Sequence, residues 1–396
     1  MRTAMNSITT SSASLAGSAA VFPAQEFHAR AAALQARIRQ EGADALLLTG
    51  PENIFWVSGR QTAGYFAFQA LLVPADGTPL LLVRQLEETG ARADVWFDDI
   101  HTWQDGQDPA IELARLLRGQ GISRLATERA GWFVSPQMMG SLEAALGGIA
   151  LLDGSGWVER LRMVKSSREL QAIRHAAQYA EAGMAAALAA CRAGASENEI
   201  AAAMTAATIT AGSEAMAMEP LISSGPRSGI PHATWRRRQL GAGDGIFLEL
   251  AASHDRYHAA LMRAAWVGTP PDAAQRMMDT SLRALDAALA ALRPGEPCAA
   301  PHEVVQQIID AAGFTAAFRK RSGYSMGAAF APDWGEGAIL SLFTGVATPL
   351  EPGMVFHLPI TLRDYGRFTV GVSETVIVTE TGAEPLSTLP RQITLC

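Results

Sequence analysis

Cysteine is scarce in this chain of 396 residues. Cys191, Cys298 and Cys396 are too few and too scattered for a disulfide framework or a zinc knuckle, so a reducing, cytoplasmic compartment is expected. Charge is also sparse, at 18% of residues, and its balance is acidic, with a net −7. A protein that tracks a phosphate backbone is normally basic, so nucleic acid is excluded as the main partner. No uncharged apolar run reaches the length needed to cross a bilayer, and no membrane partner is expected. Several catalytic signatures are missing as well: there is no GxSxG elbow, no HExxH and no CxxC. The glycine-rich stretch Gly241 to Gly245 is not a phosphate loop, because no Lys-Ser/Thr follows and a strand comes next. The basic run Trp235 to Gln239 reads as a solvated face or a salt-bridge cluster, and Cys191, inside an alanine-rich helix, as a small buried hydrophobe.

Apolar residues, at 48%, are plentiful enough for full cores, and the length suits two domains. The Ser-, Thr- and Ala-rich residues 1–23 lack the continuous apolar stretch of a secretory signal and read as a loose tail. Residues 24–160 read as a small mixed α/β domain. A helix is expected over Glu26 to Glu41, closed by Gly42, and others over Ile111 to Leu117 and Pro136 to Leu146. Strands are expected at Ala45 to Thr49, Phe68 to Val73, Leu80 to Val83, Arg124 to Thr127 and Ile149 to Leu152. Residues 161–396 read as α+β. Ser166/Glu169 and Ser196/Glu199 have capping-box spacing and open two helices. Further helices are expected from Thr269 to Arg293 and from Pro301 to Ala312. Strands are expected at Gly245 to Leu250, Arg256 to Val267, Met354 to Thr361 and Phe368 to Thr379.

Four segments of the second half set polar groups among apolar or loop-like surroundings: SSGPRSGIPHATW, GIFLELAASHDRYHAALMR, SGYSMGAAFAPDWGEG, and the pair LEPGMVFHLPI with GVSETVIV. With ENIFWVSG and LVRQLEE in the first half and the connector WVERLRMVKSSREL, they resemble the pita-bread family of methionine aminopeptidases, Xaa-Pro dipeptidases and creatinase. The resemblance implies a creatinase-type N-terminal domain followed by a pita-bread catalytic domain. Peptidase members bind two metal ions through two Asp, one His and two Glu. Carried over one by one, those positions fall on Glu249, Ala260, Tyr324, Pro359 and Ser373. One carboxylate cannot hold a dinuclear site, so no metal and no other cofactor is expected. The GYSMG, PDWGEG and SET segments look closer to ectoine hydrolase than to creatinase, and RYHAALMR is similar to the corresponding creatinase stretch.

The resemblance therefore implies a metal-independent hydrolase of a C–N bond in a small nitrogen-rich compound, ectoine-like first and creatine-like second. The alternatives are a metal-dependent Xaa-Pro dipeptidase and an inactive relative that binds a small molecule or a protein. His232, in a Pro-His turn after a Gly-rich loop, is the expected general acid/base. Glu249, a carboxylate interrupting an apolar strand, is the expected substrate anchor or nucleophile. Tyr324 would donate to a developing oxyanion, and Glu374 neighbours a lost ligand position. Tyr257, Arg263, Trp334, Glu336 and His357 are the expected substrate-binding residues. Arg60, Tyr65 and Phe66 would reach the pocket of a partner subunit in the homodimer that the resemblance implies.

Overall fold

The computed structural model describes residues 17–396. Most of the expected tail, residues 1–16, lies outside the described residues. Gly17 and Ala19 donate their N–H groups to the carbonyls of Arg92 and Ala93. The chain divides into two compact units, one ending at Arg162 and one spanning Met163–Cys396.

The first unit is built on a six-stranded sheet. Its strands are β1 (Ala45–Leu48), β2 (Ala70–Pro74), β3 (Leu80–Arg84), β4 (Ile100–Trp103), β5 (Arg124–Thr127) and β6 (Ala150–Asp153), in the order β4-β3-β2-β1-β5-β6. Helices α1 (Ala24–Gln40), α2 (Pro51–Ser58), α3 (Glu88–Asp94), α4 (Pro109–Arg118), α5 (Pro136–Ala145) and α6 (Trp157–Arg162) complete it. The sheet mixes parallel and antiparallel pairs and buries leucines on both faces, as a strand such as ALLL requires. Helix α2 is invisible to periodicity because nearly every residue in it is buried, which leaves no polar stripe. A distant carboxylate caps it. Glu128 accepts from the N–H groups of Thr49 at 2.6 Å and Gly50 at 2.9 Å and from Asn53 Nδ2 at 2.5 Å.

The second unit has four long helices: α7 (Ser167–Ala190), α8 (Glu197–Ala211), α9 (Asp272–Ala291) and α10 (Ala300–Ala311). Both expected capping boxes form, on Ser166 with Glu169 and on Ser196 with Glu199. Gly183 lets α7 lie against α8, since a Cβ there would collide with the Thr208 hydroxyl. Strands β7 (Leu221–Ser224), β8 (Gly245–His254), β9 (Tyr257–Trp266) and β15 (Ile393–Leu395) form one sheet, ordered β15-β9-β8-β7. Strands β10 (Gly323–Ser325), β11 (Ser341–Leu342), β12 (Val355–Asp364), β13 (Phe368–Thr379) and β14 (Gly382–Pro385) form the other, ordered β11-β10-β12-β13-β14. The two sheets are stitched together at Ala260, whose N–H donates to Thr375 Oγ1 and whose carbonyl accepts from the same hydroxyl, both at 2.9 Å, and at Arg263, which donates to Ser373 O at 2.9 Å.

Alternation along the strands sorts the side chains. On β8, Ile246, Leu248, Leu250 and Ala252 join a core with α7 and α8. On β12, Phe356, Leu358, Ile360 and Leu362 join a core with α9. The intervening residues, Glu249 on β8 and His357, Pro359, Thr361 and Arg363 on β12, face the other way.

Candidate functional site

The polar face of the β12–β13 hairpin is set by register. His357 pairs with Thr375, Pro359 with Ser373, Thr361 with Gly371 and Arg363 with Thr369. Tyr324 on β10 pairs with His357 from the other side. These partners form a hydrogen-bonded chain: Trp334 Nε1 donates to Tyr324 OH at 3.0 Å, Tyr324 OH meets His357 Nδ1 at 2.8 Å, and His357 Nε2 meets Ser373 Oγ at 2.6 Å. Burial, reinforced by the charge of Lys320, pushes the His357 imidazole down to about 3, so it is neutral at physiological pH. Burial and then the charge of Glu249 hold the Tyr324 hydroxyl well above its ordinary value, so it keeps its proton.

Glu249 is the carboxylate of this cluster and is 8% exposed. Burial pushes it up to about 7. The positive charges of Lys320 and Arg363 pull in the other direction, and Asp333 adds to the rise. Lys320 mirrors it: burial and then Arg363 push its ammonium down to about 7, against the pull of Glu249. Its Nζ donates to Thr361 Oγ1 at 2.5 Å. Among the described residues, no hydrogen bond or ion pair ends on Glu249, so the carboxylate and the two cations share a field without closing on one another. Lys320, Arg363 and Tyr324 are half-buried as whole residues, and burial is the largest influence on the charged ends of Lys320 and Tyr324.

The five metal-ligand positions implied by resemblance do lie on this surface, since Pro359 and Ser373 are directly cross-strand and Ala260 lies on the same face of the β8–β9 hairpin as Glu249. The residues on them do not fit a metal pair. Alanine and proline offer no donor, and the Tyr324 and Ser373 hydroxyls are both engaged by His357. Among the described residues, no three His, Cys, Asp or Glu side chains gather in a way that could hold a metal ion.

Of the residues expected from sequence, the structure brings together Glu249, Tyr324, His357 and Trp334. The others lie elsewhere. Glu374 occupies the opposite face of β13 from Ser373, where its Oε1 accepts from Arg263 at 3.0 Å and from Arg391 at 3.1 Å. Arg263 is thereby committed to Glu374 and to the carbonyls of Ser373, Leu389 and Pro390. Tyr257 donates to Glu169 at 2.7 Å, tying the β8–β9 hairpin to the first turn of α7. Glu336 is buried in an ion pair with Lys165 at 2.8 Å. In the first unit, Arg60 is buried between Glu87 and Asp94, Tyr65 is half-buried with its ring 6.1 Å from that of Phe133, and Phe66 is 83% exposed.

His232 is exposed and holds a left-handed backbone, with φ of 53°, which is uncommon outside glycine. Among the described residues, no hydrogen bond joins it to the Glu249 cluster. The root of its loop is nonetheless fixed at the Arg363 end: Arg363 Nε donates to Thr369 Oγ1 at 2.8 Å, and the Thr369 hydroxyl donates to Ser228 O at 2.5 Å. His258 is buried. It accepts from Ala217 N–H on Nε2 and donates from Nδ1 to Arg256 O, and burial lowers it to about 4, so it is a neutral structural group. His254 is half-buried, with its ring 4.8 Å from His175 and its Nδ1 3.1 Å from Tyr179 OH.

Lys320 and Arg363 were not expected. Lys320 sits in the run Arg319-Lys320-Arg321, where the sequence does not distinguish one cation from the next, and Arg363 lies two residues beyond the expected end of β12. The one available signal was alternation, because Arg363 is in phase with His357.

Residues 171–380 match metallopeptidase family M24, and residues 30–164 match the creatinase/prolidase N-terminal domain. The chain is 26% identical to ectoine hydrolase of Halomonas elongata over 394 residues, covering 94% of this chain and 98% of that protein. It is also 26% identical to a probable dipeptidase PepE of Mycobacterium tuberculosis, covering 94% and 97%. The crystal structure of dipeptidase PepE from Mycobacterium ulcerans superposes with a TM-score of 0.80 at 26% identity, over 94% of this chain and 99% of that one. A prolidase from Thermococcus sibiricus superposes with a TM-score of 0.84 at 20% identity, over 93% and 99%, a likeness of fold. The two matched domains, in this order and over nearly the whole chain, place it in metallopeptidase family M24.

Proposed function

We propose that this M24 hydrolase cleaves a C–N bond in a small cationic, nitrogen-rich compound without a metal, with an ectoine-like cyclic amidine as the first candidate and a creatine-like guanidino compound as the second. The observation that carries the reading is the substitution at the ligand positions. Two of them, Ala260 and Pro359, have no donor atom, and a buried carboxylate remains at the third, Glu249. Replacing a dication pair by one carboxylate reverses the local demand from an anionic or neutral substrate to a cationic one. In this reading Glu249 holds the amidinium or guanidinium group. Tyr324, kept protonated and aligned by Trp334 and His357, donates to the oxygen that develops charge. His232, exposed on a loop rooted beside Arg363, is the expected acid/base group and in this reading passes protons between the site and solvent. The 26% identity to ectoine hydrolase supports the substrate order.

The test is turnover of ectoine, creatine and Gly-Pro by protein purified without added metal, with and without a chelator. Hydrolysis of ectoine or creatine that survives the chelator supports the reading. Activity that appears only with added Mn²⁺ or Co²⁺ overturns it, and cleavage of Gly-Pro under those conditions establishes a dipeptidase instead. We also propose that the working form is a cytoplasmic homodimer, with the exposed Phe66 against the second copy. A monomer mass by light scattering would overturn the dimer.

A further inference from the structure

The chain contains thirty arginines and only two lysines, Lys165 and Lys320. Where a fixed positive charge suffices, this chain uses arginine. The two lysines mark places where an ammonium does something that a guanidinium cannot. For Lys165 that role is geometric. Its Nζ reaches Glu336 at 2.8 Å, Ser325 Oγ at 3.2 Å and Met163 O at 3.3 Å, so all three N–H donors of a compact ammonium are used in a buried site.

Lys320 differs. Among the described residues its Nζ has one hydrogen bond, to Thr361 Oγ1, and lies 5.8 Å from the centre of the Phe318 ring. Its other two N–H positions have no partner among the described residues, and the residue as a whole is half-buried. The groups around it are Glu249 on β8, Arg363 and neutral His357 on β12, Tyr324 on β10, and Asp333 and Arg321 on the flanking loops. Arg363 disfavours the ammonium, and among the described residues no carboxylate lies within ion-pair distance of it. Arginine cannot give up its proton at any working pH, whereas lysine can when desolvated beside another cation.

We infer that Lys320 is the proton-transfer residue of the Glu249 site. The inference rests on the reading that Glu249 holds the reacting amidinium. As water bonds to the amidinium carbon, the Lys320 amine takes a water proton and the C=N π pair moves onto nitrogen, leaving a neutral tetrahedral adduct. The Lys320 ammonium then returns that proton to the departing nitrogen as the C–N bond breaks. The carbonyl closes, and the hydroxyl proton leaves on the released amine. Atoms and charge balance as amidinium plus water giving amide plus ammonium. The value of about 7 to which burial and Arg363 bring Lys320 suits an amine that must be both acceptor and donor near neutrality.

Two lysines make the test direct. Protein labelled with ¹³Cε-lysine should give two resonances, and Lys320→Met assigns them. The resonance of Lys320 is expected to titrate near neutral pH and to move lower in Glu249→Gln, while that of Lys165 stays constant. Titration of Lys320 above pH 9 would overturn the inference, whatever compound the protein hydrolyses. In turnover of ectoine, Lys320→Arg, with its fold verified by circular dichroism, should lose about 10²–10⁴-fold in kcat with a smaller change in KM. Added ethylamine should partly restore Lys320→Ala. Wild-type kcat in Lys320→Arg would reduce Lys320 to a fixed cation while leaving the hydrolase reading intact. Absence of turnover by wild-type protein on every C–N substrate would instead overturn the hydrolase reading, and the titration alone would then decide Lys320.

Discussion

Two buried carboxylates, one on each sheet of the second unit, meet opposite fates. Glu374 is fully enclosed, and one of its oxygens takes both Arg263 and Arg391. Glu249 is nearly as buried, yet no group of the described chain bonds to it, and its two cations stand off. An enclosed charge answered at contact distance serves the fold. An enclosed charge left without a contact partner beside half-buried cations is the pattern expected of a group that meets a ligand.

The strongest way to break this contrast is at Glu249. Glu249→Gln should keep the fold and reduce kcat/KM by about 10³–10⁴-fold, or roughly 4–5.5 kcal/mol, because the proposed cationic substrate loses its counter-charge. Steady-state rates check it, and a loss below tenfold would remove Glu249 from the site. At Glu374 the expected effect moves from rate to stability. Glu374→Ala leaves Arg263 buried without its carboxylate and should cost about 3–4 kcal/mol, lowering Tm by roughly 10 °C, with kcat of the folded protein within about threefold of wild type. Urea unfolding and rates on the same sample separate the two.

Stability against pH sharpens the contrast further. The folded state holds the Glu249 proton up to about 7, whereas an unfolded carboxyl releases it near 4.5. Stability is therefore lost as pH rises through that window. Glu249→Gln escapes the loss and should be more stable than wild type by roughly 3 kcal/mol at pH 8, the pull of Lys320 and Arg363 on the ionised carboxylate being already contained in that shift, with no gain below about pH 4.5. Paired urea titrations at the two pH values check the sign. The smallest effect is at Tyr324, where Tyr324→Phe should lower kcat about tenfold, since one donor of several is lost.

Much of this architecture was legible in the residues. Both capping boxes formed where Ser and Glu stand three apart, and Arg124–Thr127 and Phe368–Thr379 are strands with the expected ends. Helix α2 was not, because a helix buried on all sides carries no period. The site was legible where a residue broke an apolar strand, as Glu249 and His357 do. It was illegible where charge is common, as at Lys320, since a run of three cations says nothing about which one turns inward. Glu374 shows the limit of adjacency. One step along a strand from Ser373 is the other face of the sheet, so a neighbour of a site position is the residue least able to share it.

Glu128 carries a consequence for how the first unit moves. Its carboxylate closes the start of α2 from a position 79 residues away from Thr49, at the end of β5. The Thr49 and Gly50 amides can exchange with solvent only when that long-range bond is open, and opening it strands a fully buried carboxylate that burial already pushes toward its neutral form. The first turn of α2 is therefore expected to fray not by itself but together with the β1–β5 pairing, so that deuterium uptake at two adjacent amides times the opening of a sheet seam most of a domain's length away in sequence.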